Sequence, residues 1–125
     1  MSSSARNVQI YLSPHLDDAA LSCGGRIWQQ ARGGDAAKVI TVFAGGPDPD
    51  QPLSPFAERL HARWGTPVSA VGARRREDRE ALDVLGAQAV HWPYRDCVYR
   101  QTNEGRIAYL DEEALWGPID PDDSS

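Results

Sequence analysis

The feature that most constrains the fold is a strand, a helix and a second strand in immediate succession near the start of the chain. Residues 8–12 form a short apolar run that a Ser-Pro pair ends, and residues 17–32 place apolar side chains at helical spacing before two glycines. Residues 38–43 then form a nearly continuous apolar run, which is typical of a buried parallel strand. A strand, helix and strand in this order imply a right-handed crossover between parallel strands, so the sequence predicts an α/β fold.

The remainder of the chain predicts further helices, one more strand and an irregular end. Residues 44–55 are rich in Gly, Pro and Asp and are expected to form a loop. Helices are predicted at 55–64, at 71–85 and near 111–116, and a third strand at 89–92. The loops that follow the first two strands should converge, because the carboxyl ends of parallel strands lie at one edge of the sheet.

Length and charge narrow the classes of function. The 125 residues suffice for one domain at most, with residues 7–97 as its core strands and helices and residues 98–125 as an irregular tail. A formal net charge of -5 argues against nucleic acid as a partner. No apolar run approaches the roughly 20 residues that span a bilayer, and the polar residues 1–6 do not resemble a secretory signal. We therefore expect no membrane span and a cytoplasmic location.

A histidine and two adjacent carboxylates stand where the first strand gives way to the first helix. Imidazole and carboxylate groups suit a borderline cation such as zinc. A neighbouring carboxylate that does not bind the metal can act as a general base that takes a proton from a bound water. In an extended turn His15 and Asp18 point toward one ion, whereas Asp17 points to a different side. The alternative is structural, because aspartates commonly cap helices and a histidine after a proline often bonds a loop. The position at the carboxyl edge of the sheet favours the metal site.

Two other kinds of site fit the sequence poorly. The chain contains neither G-x-G-x-x-G nor G-x-x-x-x-G-K-[ST], and the two acids in the first turn would repel a phosphate. It also lacks the G-x-S-x-G of many serine hydrolases. Cys23 and Cys97 lie far apart, match no zinc-finger spacing and have no neighbouring histidine in the sequence. These features disfavour nucleotide binding and nucleophilic catalysis.

Four segments of the chain, in order, resemble the PIG-L/LmbE family of zinc-dependent N-acetylglucosaminyl deacetylases. Residues 14–25 are similar to the family's opening signature, whose usual form is His-Pro-Asp-Asp-Glu with Leu and Gly-Gly downstream. Residues 42–45 resemble the second strand and its loop, and residues 74–86 resemble a helix with an R-x-x-E…L-G pattern. Residues 94–96 resemble the Arg-Asp pair that follows the third strand. The first of these segments is the most specific.

The resemblance implies a fold, a reaction and a set of site residues. The implied fold is a Rossmann-like three-layer α/β/α domain with a mostly parallel sheet, incomplete at the C-terminus. The implied reaction is the zinc-dependent removal of the N-acetyl group from a GlcNAc-containing or related N-acylated substrate, a small-molecule sugar conjugate. Position by position, the implied Zn²⁺ ligands are His15 and Asp18, the implied general base is Asp17, and the implied substrate-binding residues are Arg74 and Asp96.

The chain departs from the family pattern in ways that leave two classes of function open. Leu16 replaces the usual proline and Ala19 the usual glutamate. Family members carry a later histidine motif that gives the third zinc ligand, but no histidine follows Asp96 here, and we expect His61 and His91 to be packing or surface residues. The chain is thus either an enzyme that is truncated or completed by another chain, or a non-catalytic sugar-binding or assembly module. Missing strands would leave an exposed sheet edge and apolar surface, so we also expect self-association, as a homo-oligomer or with a completing chain.

Overall fold

A computed structural model of the chain describes residues 7–65 and 70–124. Its strands are β1 (Val8–Ser13), β2 (Ala36–Thr41) and β3 (Ala87–His91), and its helices are α1 (Asp18–Arg32), α2 (Pro55–Arg63) and α3 (Ala70–Leu85). Two short 3₁₀ turns, Cys97–Tyr99 and Glu113–Leu115, lie in the segment after β3. The predicted elements occur in the predicted order, with a 3₁₀ turn in place of the last helix. Residues 1–6, where the sequence does not resemble a secretory signal, lie outside the described ranges.

The three strands form one parallel sheet in the order β1-β2-β3. Their last residues, Ser13, Thr41 and His91, pair side by side, so the carboxyl ends of all three strands lie at the same edge. β2 begins and ends two residues earlier than predicted. Phe43, just beyond β2, donates a backbone hydrogen bond to Pro14 O at 3.0 Å. The loops after β1 and β2 therefore converge as predicted.

Helices α1 and α3 pack on one face of the sheet. Ile27 of α1, Val39 of β2 and Leu82 of α3 are each 0% exposed and form the centre of this core. Helix α2 instead packs its Phe56 against Val98 in the first 3₁₀ turn, in a second apolar cluster. None of α1, α2 and α3 has both the length and the apolarity needed to cross a bilayer.

The opposite face of β1 is open. Val8, Ile10 and Leu12 alternate with more buried residues along this strand and are 56%, 59% and 69% exposed. The predicted α/β class and the parallel sheet are confirmed, and one helical layer of the three-layer arrangement is present. Within the parts of the chain that the structure describes, no helix buries the three exposed β1 side chains.

The segment after β2 is joined to the segment after β3 by a close backbone contact at Gly45. Gly45 N donates to Tyr94 O at 2.9 Å, and a Cβ atom on Gly45 would lie 2.2 Å from Pro93 O. Such a distance is far inside van der Waals contact, so only a residue without a side chain fits beside this backbone. Glycine at this position thus holds together two of the loops at the carboxyl edge of the sheet.

We expect Gly45→Ala to lower the free energy of unfolding by about 2 kcal/mol or more, because the added methyl group would overlap backbone atoms of Pro93. Gly25→Ala is the matched control, since Gly25 lies within α1 and a Cβ there would meet nothing within 4 Å. The control should be stabilised by about 0.5–1 kcal/mol through helix propensity. Urea unfolding followed by circular dichroism measures both changes, and an unaltered Gly45→Ala midpoint would contradict the contact.

The exposed apolar face of β1, an edge strand, should promote self-association of the chain. We expect light scattering to give a mass above that of one chain, and Leu12→Lys to shift the distribution toward the monomer. Leu21→Lys on α1 is the control, because Leu21 is 85% exposed but lies away from the sheet. A monomeric wild-type chain, or equal effects of the two substitutions, would count against association through β1.

Candidate functional site

A cleft of about 480 Å³ lies at the carboxyl edge of the sheet. Four of the five predicted site residues line it. His15 and Asp18 come from the turn after β1 and the start of α1, Arg74 comes from α3, and Asp96 follows β3. The lining also includes the apolar side chains of Phe43, Leu60, Trp64, Val71 and Trp116. The cleft thus places a charged cluster beside an aromatic wall.

His15 lies between two carboxylates. Its Nε2 is 3.0 Å from Asp96 Oδ2, and its Nδ1 is 3.7 Å from Asp18 Oδ2. The hydrogen bond to Asp96 raises the pKa of His15, although burial opposes this. Burial also opposes the ionisation of Asp96, but hydrogen bonds from His15 and Cys97 hold the pKa of Asp96 below its usual value. The ionised Asp96 therefore orients the imidazole, a contact that the sequence did not predict.

His15 Nδ1 and Asp18 Oδ2 are spaced to share a metal ion. Two ligand atoms that each lie about 2 Å from a tetrahedral ion are about 3.3 Å apart, close to the 3.7 Å between these atoms. Asp18 Oδ2 also accepts a hydrogen bond from His15 N at 3.0 Å, which holds the carboxylate beside the imidazole. Among residues 7–65 and 70–124, no third His, Cys, Asp or Glu completes a metal-binding group with this pair. The pair fits two positions of a zinc site.

Asp17 occupies the N-cap position of α1 without capping the helix. Its backbone is left-handed, with φ of 71°, and its carboxylate accepts no capping hydrogen bond. Ser13 Oγ instead accepts a hydrogen bond from Ala19 N at 3.3 Å. The Asp17 carboxylate lies 3.9 Å from the Arg74 guanidinium, and Asp17 does not line the cleft. Burial raises the pKa of Asp17 by more than Arg74 lowers it, so the carboxylate is a stronger base than an exposed aspartate.

Arg74 is packed rather than solvated. Its guanidinium lies 4.4 Å above the ring of Trp64 and donates a hydrogen bond to Leu16 O at 3.4 Å. The side chain is 26% exposed. Arg74 therefore joins α3 to the turn that carries His15, Asp17 and Asp18, and it contributes a positive charge to the edge of the cleft.

Asp78 was not among the residues predicted for the site, and His91 was expected only to pack or to lie at the surface. Asp78 Oδ2 lies 2.7 Å from His91 Nε2, with both side chains almost completely buried. Asp78 Oδ1 accepts a hydrogen bond from Asp17 N at 3.0 Å. One signal was available in the sequence, because Asp78 stands four residues before Leu82 and therefore on the apolar side of α3.

The third histidine is also buried and does not line the cleft. His61 of α2 is 4% exposed, and its Nε2 lies 2.5 Å from the hydroxyl oxygen of Tyr99. Its ring is stacked on Trp64, with 5.5 Å between the centroids. His61 and His91 were expected to be packing or surface residues; both side chains are buried, and neither lines the cleft that holds His15 and Asp18.

Cys97 lies in the cleft next to Asp96 and donates a hydrogen bond from Sγ to Asp96 Oδ1 at 3.1 Å. Burial and the neighbouring carboxylate raise the pKa of Cys97 to about 12. Because a thiolate would be placed beside a second negative charge, the thiol form predominates at neutral pH.

We expect Cys97 to react with iodoacetamide at pH 8 on the order of a thousandfold more slowly than an unhindered thiol, since its thiolate fraction is small. Raising the pH toward 12 should increase the rate about tenfold per unit. Asp96→Asn should speed the reaction at pH 8, because it removes the charge that disfavours the thiolate. Mass spectrometry of the modified peptide measures each rate, and fast alkylation of wild-type Cys97 would contradict the shift.

The sequence of the chain matches that of known deacetylases. A family model described as GlcNAc-PI de-N-acetylase, PIG-L, matches residues 10–118. The 2'-N-acetylparomamine deacetylase of Niallia circulans is 32% identical over 125 aligned residues, which cover 91% of this chain and 45% of that protein. The chain therefore spans less than half the length of this curated relative.

Two solved structures agree with the sequence match. A zinc-inhibited form of a teicoplanin deacetylase is 38% identical, with a TM-score of 0.80 over 94% of this chain and 45% of that one. A deacetylase bound to teicoplanin is 43% identical, with a TM-score of 0.75 over 82% of this chain and 40% of that one. The family model, the curated relative and the shared fold agree, and the chain belongs to the PIG-L family of de-N-acetylases.

Proposed function

We propose that the chain carries the N-terminal half of the active site of a zinc-dependent N-deacetylase. The observation that carries this proposal is the cleft at the carboxyl edge of the sheet, which is lined together by His15, Asp18, Arg74 and Asp96. These residues come from three separate segments of the sequence, around residues 15–18, 74 and 96, which resemble one family. The reaction is hydrolysis of an amide, in which water adds to the acyl carbon, the C–N bond breaks, and a carboxylic acid and a free amine are released.

His15 and Asp18 are the proposed metal ligands. The orientation of the imidazole supports this, because Asp96 holds Nε2 and leaves Nδ1 facing Asp18. When bound, zinc acts as a Lewis acid toward the amide carbonyl and lowers the pKa of a bound water to about 7. Three protein ligands are usual at a catalytic zinc, so the proposal requires a third ligand from outside the described residues, on a longer form of this chain or on a completing chain.

Asp17 is the proposed general base. Its carboxylate is not engaged in capping α1, and burial raises its pKa, so it is suited to accept the proton of the attacking water. The proton then passes to the amine nitrogen as the C–N bond breaks. Arg74, 3.9 Å from Asp17 Oδ2, lowers the pKa of Asp17 and so offsets part of the effect of burial. Since Asp17 does not line the cleft in this structure, a rotation of its side chain would bring it to the substrate.

The proposed substrate is a small-molecule conjugate that carries an N-acylated amino sugar, such as N-acetylglucosamine. Two observations support this class. The relatives are named as deacetylases of acetylparomamine and of the teicoplanin pathway, and the cleft combines charged groups with the aromatic side chains of Phe43, Trp64 and Trp116. Arg74 and Asp96 are the proposed polar contacts to the sugar, and aromatic faces suit the apolar side of a sugar ring. The cytoplasm stays the location that the sequence predicts.

We expect the chain, in a longer form or together with the completing chain that supplies the third ligand, to bind zinc in equilibrium dialysis and to release acetate from an N-acetylglucosamine conjugate. Asp17→Asn should leave zinc binding intact and lower acetate release by roughly 10²–10⁴-fold, because the general base is lost. Asp18→Asn should weaken zinc binding itself. The matched control is Asp83→Asn, an identical change at an exposed position of α3.

The possible outcomes separate the two classes of function. Zinc binding together with acetate release that depends on Asp17 supports the deacetylase. Stoichiometric binding of the sugar conjugate without acetate release would contradict it and favour a non-catalytic sugar-binding module. Absence of zinc binding at micromolar metal would contradict the assignment of His15 and Asp18 as ligands.

A further inference from the structure

The proposed reaction makes no direct use of the buried pair formed by Asp78 and His91. Asp78 lies on α3 and His91 is the last residue of β3, with side chains that are only 3% and 2% exposed. A carboxylate removed from water in this way is strongly disfavoured unless hydrogen bonds compensate for the lost hydration. The contacts of the two carboxylate oxygens therefore indicate what an aspartate contributes at this position.

Each oxygen of Asp78 contacts a different part of the protein. Arg75 Nε donates to His91 Nδ1 at 3.4 Å, which leaves the proton of the neutral ring on Nε2. His91 Nε2 then donates to Asp78 Oδ2 at 2.7 Å. The second oxygen, Oδ1, accepts from the backbone N–H of Asp17 at 3.0 Å. A continuous chain of hydrogen bonds thus runs from α3 through the end of β3 back to the turn after β1.

The turn that receives this hydrogen bond is strained and lies at the site. Asp17 has the only positive φ among the non-glycine residues that the structure describes, and this conformation carries a steric penalty for a residue with a Cβ. It stands between His15 and Asp18, so its backbone sets the spacing of the two proposed ligands. Arg74, one helical turn before Asp78, contacts the Asp17 side chain. One face of α3 therefore holds both the backbone and the carboxylate of Asp17.

We propose that Asp78, supported by His91, is a positioning residue that holds Asp17 in its left-handed conformation and thereby arranges His15 and Asp18 to bind a metal ion. The inference rests on the proposed function, since it assigns the pair a role at the same site. If the role of the pair were purely structural, it would only hold α3 against β3 through the contact between Asp78 and His91. The hydrogen bond from Asp17 N to Asp78 Oδ1 distinguishes the two roles, because it is not part of the contact between α3 and β3.

Hydrogen exchange measured by NMR on the full chain tests the contact directly. Asp78→Leu, which is similar in size and has no acceptor, should speed the exchange of the Asp17 amide about tenfold or more relative to the core amides of Ile27 and Val39. Asp78→Asn keeps an acceptor for Asp17 N and should have a smaller effect. The control is Asp83→Leu on the exposed side of α3, which should leave the Asp17 amide unchanged.

A second pair of variants covers the case in which Asp78→Leu does not fold. His91→Gln retains an N–H donor near the position of Nε2, whereas His91→Leu removes it. If Asp78 is a positioning residue, the Asp17 amide should exchange fast in His91→Leu, and its slow exchange should be recovered in His91→Gln. Exchange at Asp17 that rises only in proportion to that of the core amides, in every variant, would show a structural role alone and overturn the proposal.

Zinc titration of the same variants, in a longer form or with the completing chain that supplies the third ligand, provides the functional readout. The dissociation constant should rise about 10–100-fold in Asp78→Leu and remain unchanged in Asp83→Leu, as for other groups that orient metal ligands. Unchanged zinc affinity in a folded Asp78→Leu chain would overturn the positioning role. If the wild-type protein binds no zinc even when the third ligand is supplied, the proposed function fails instead, and the Asp17 exchange rates still decide whether Asp78 holds the turn.

Discussion

The site depends on the parallel pairing of β1, β2 and β3. Because parallel strands run in one direction, the segments that follow them all emerge at one edge of the sheet. Residues that are up to about eighty positions apart, such as His15 and Asp96, are thereby placed 3.0 Å from one another. The contact of Gly45 with the backbone at Pro93 then joins the second and third segments. Side-chain chemistry acts on a geometry that backbone hydrogen bonds have already established.

Four carboxylates gather around the turn after β1, and each has its own partner. Asp96 is paired with the imidazole of His15, and Asp78 with that of His91. Asp18 accepts from a backbone N–H, whereas Asp17 faces a guanidinium only at 3.9 Å. Burial is the main cause that raises the pKa of Asp17, and the guanidinium offsets it only in part. Environment, rather than residue type, thus distinguishes Asp17 from Asp96, whose pKa is held below its usual value by hydrogen bonds from His15 and Cys97.

The local elements were predictable because their signals are local. Helical spacing predicted α1 and α3 within one residue of their observed starts, and the apolar runs predicted the three strands with shifts of one or two residues. His15, Asp17 and Asp18 lie within one turn, so their association followed from the sequence, and the family resemblance added Arg74 and Asp96. The pair of Asp78 and His91 was not found, because its contacts join α3, β3 and the first turn. The burial of an acidic residue within a charged run of sequence is recognised only once the packing of its helix is known.

By itself, the sequence determined the order of strands and helices, the family, and the short segment that brings a histidine and two aspartates to the start of a helix. Only the tertiary structure decided what each carboxylate does. Asp96 orients an imidazole, Asp78 is buried against Asp17 N, and Asp17 leaves its carboxylate uncommitted to the helix N-terminus. The physical reason is that spacing along a chain reports which groups can be near one another. Burial and hydrogen bonding, which set the charge and orientation of each group, depend on contacts between distant residues.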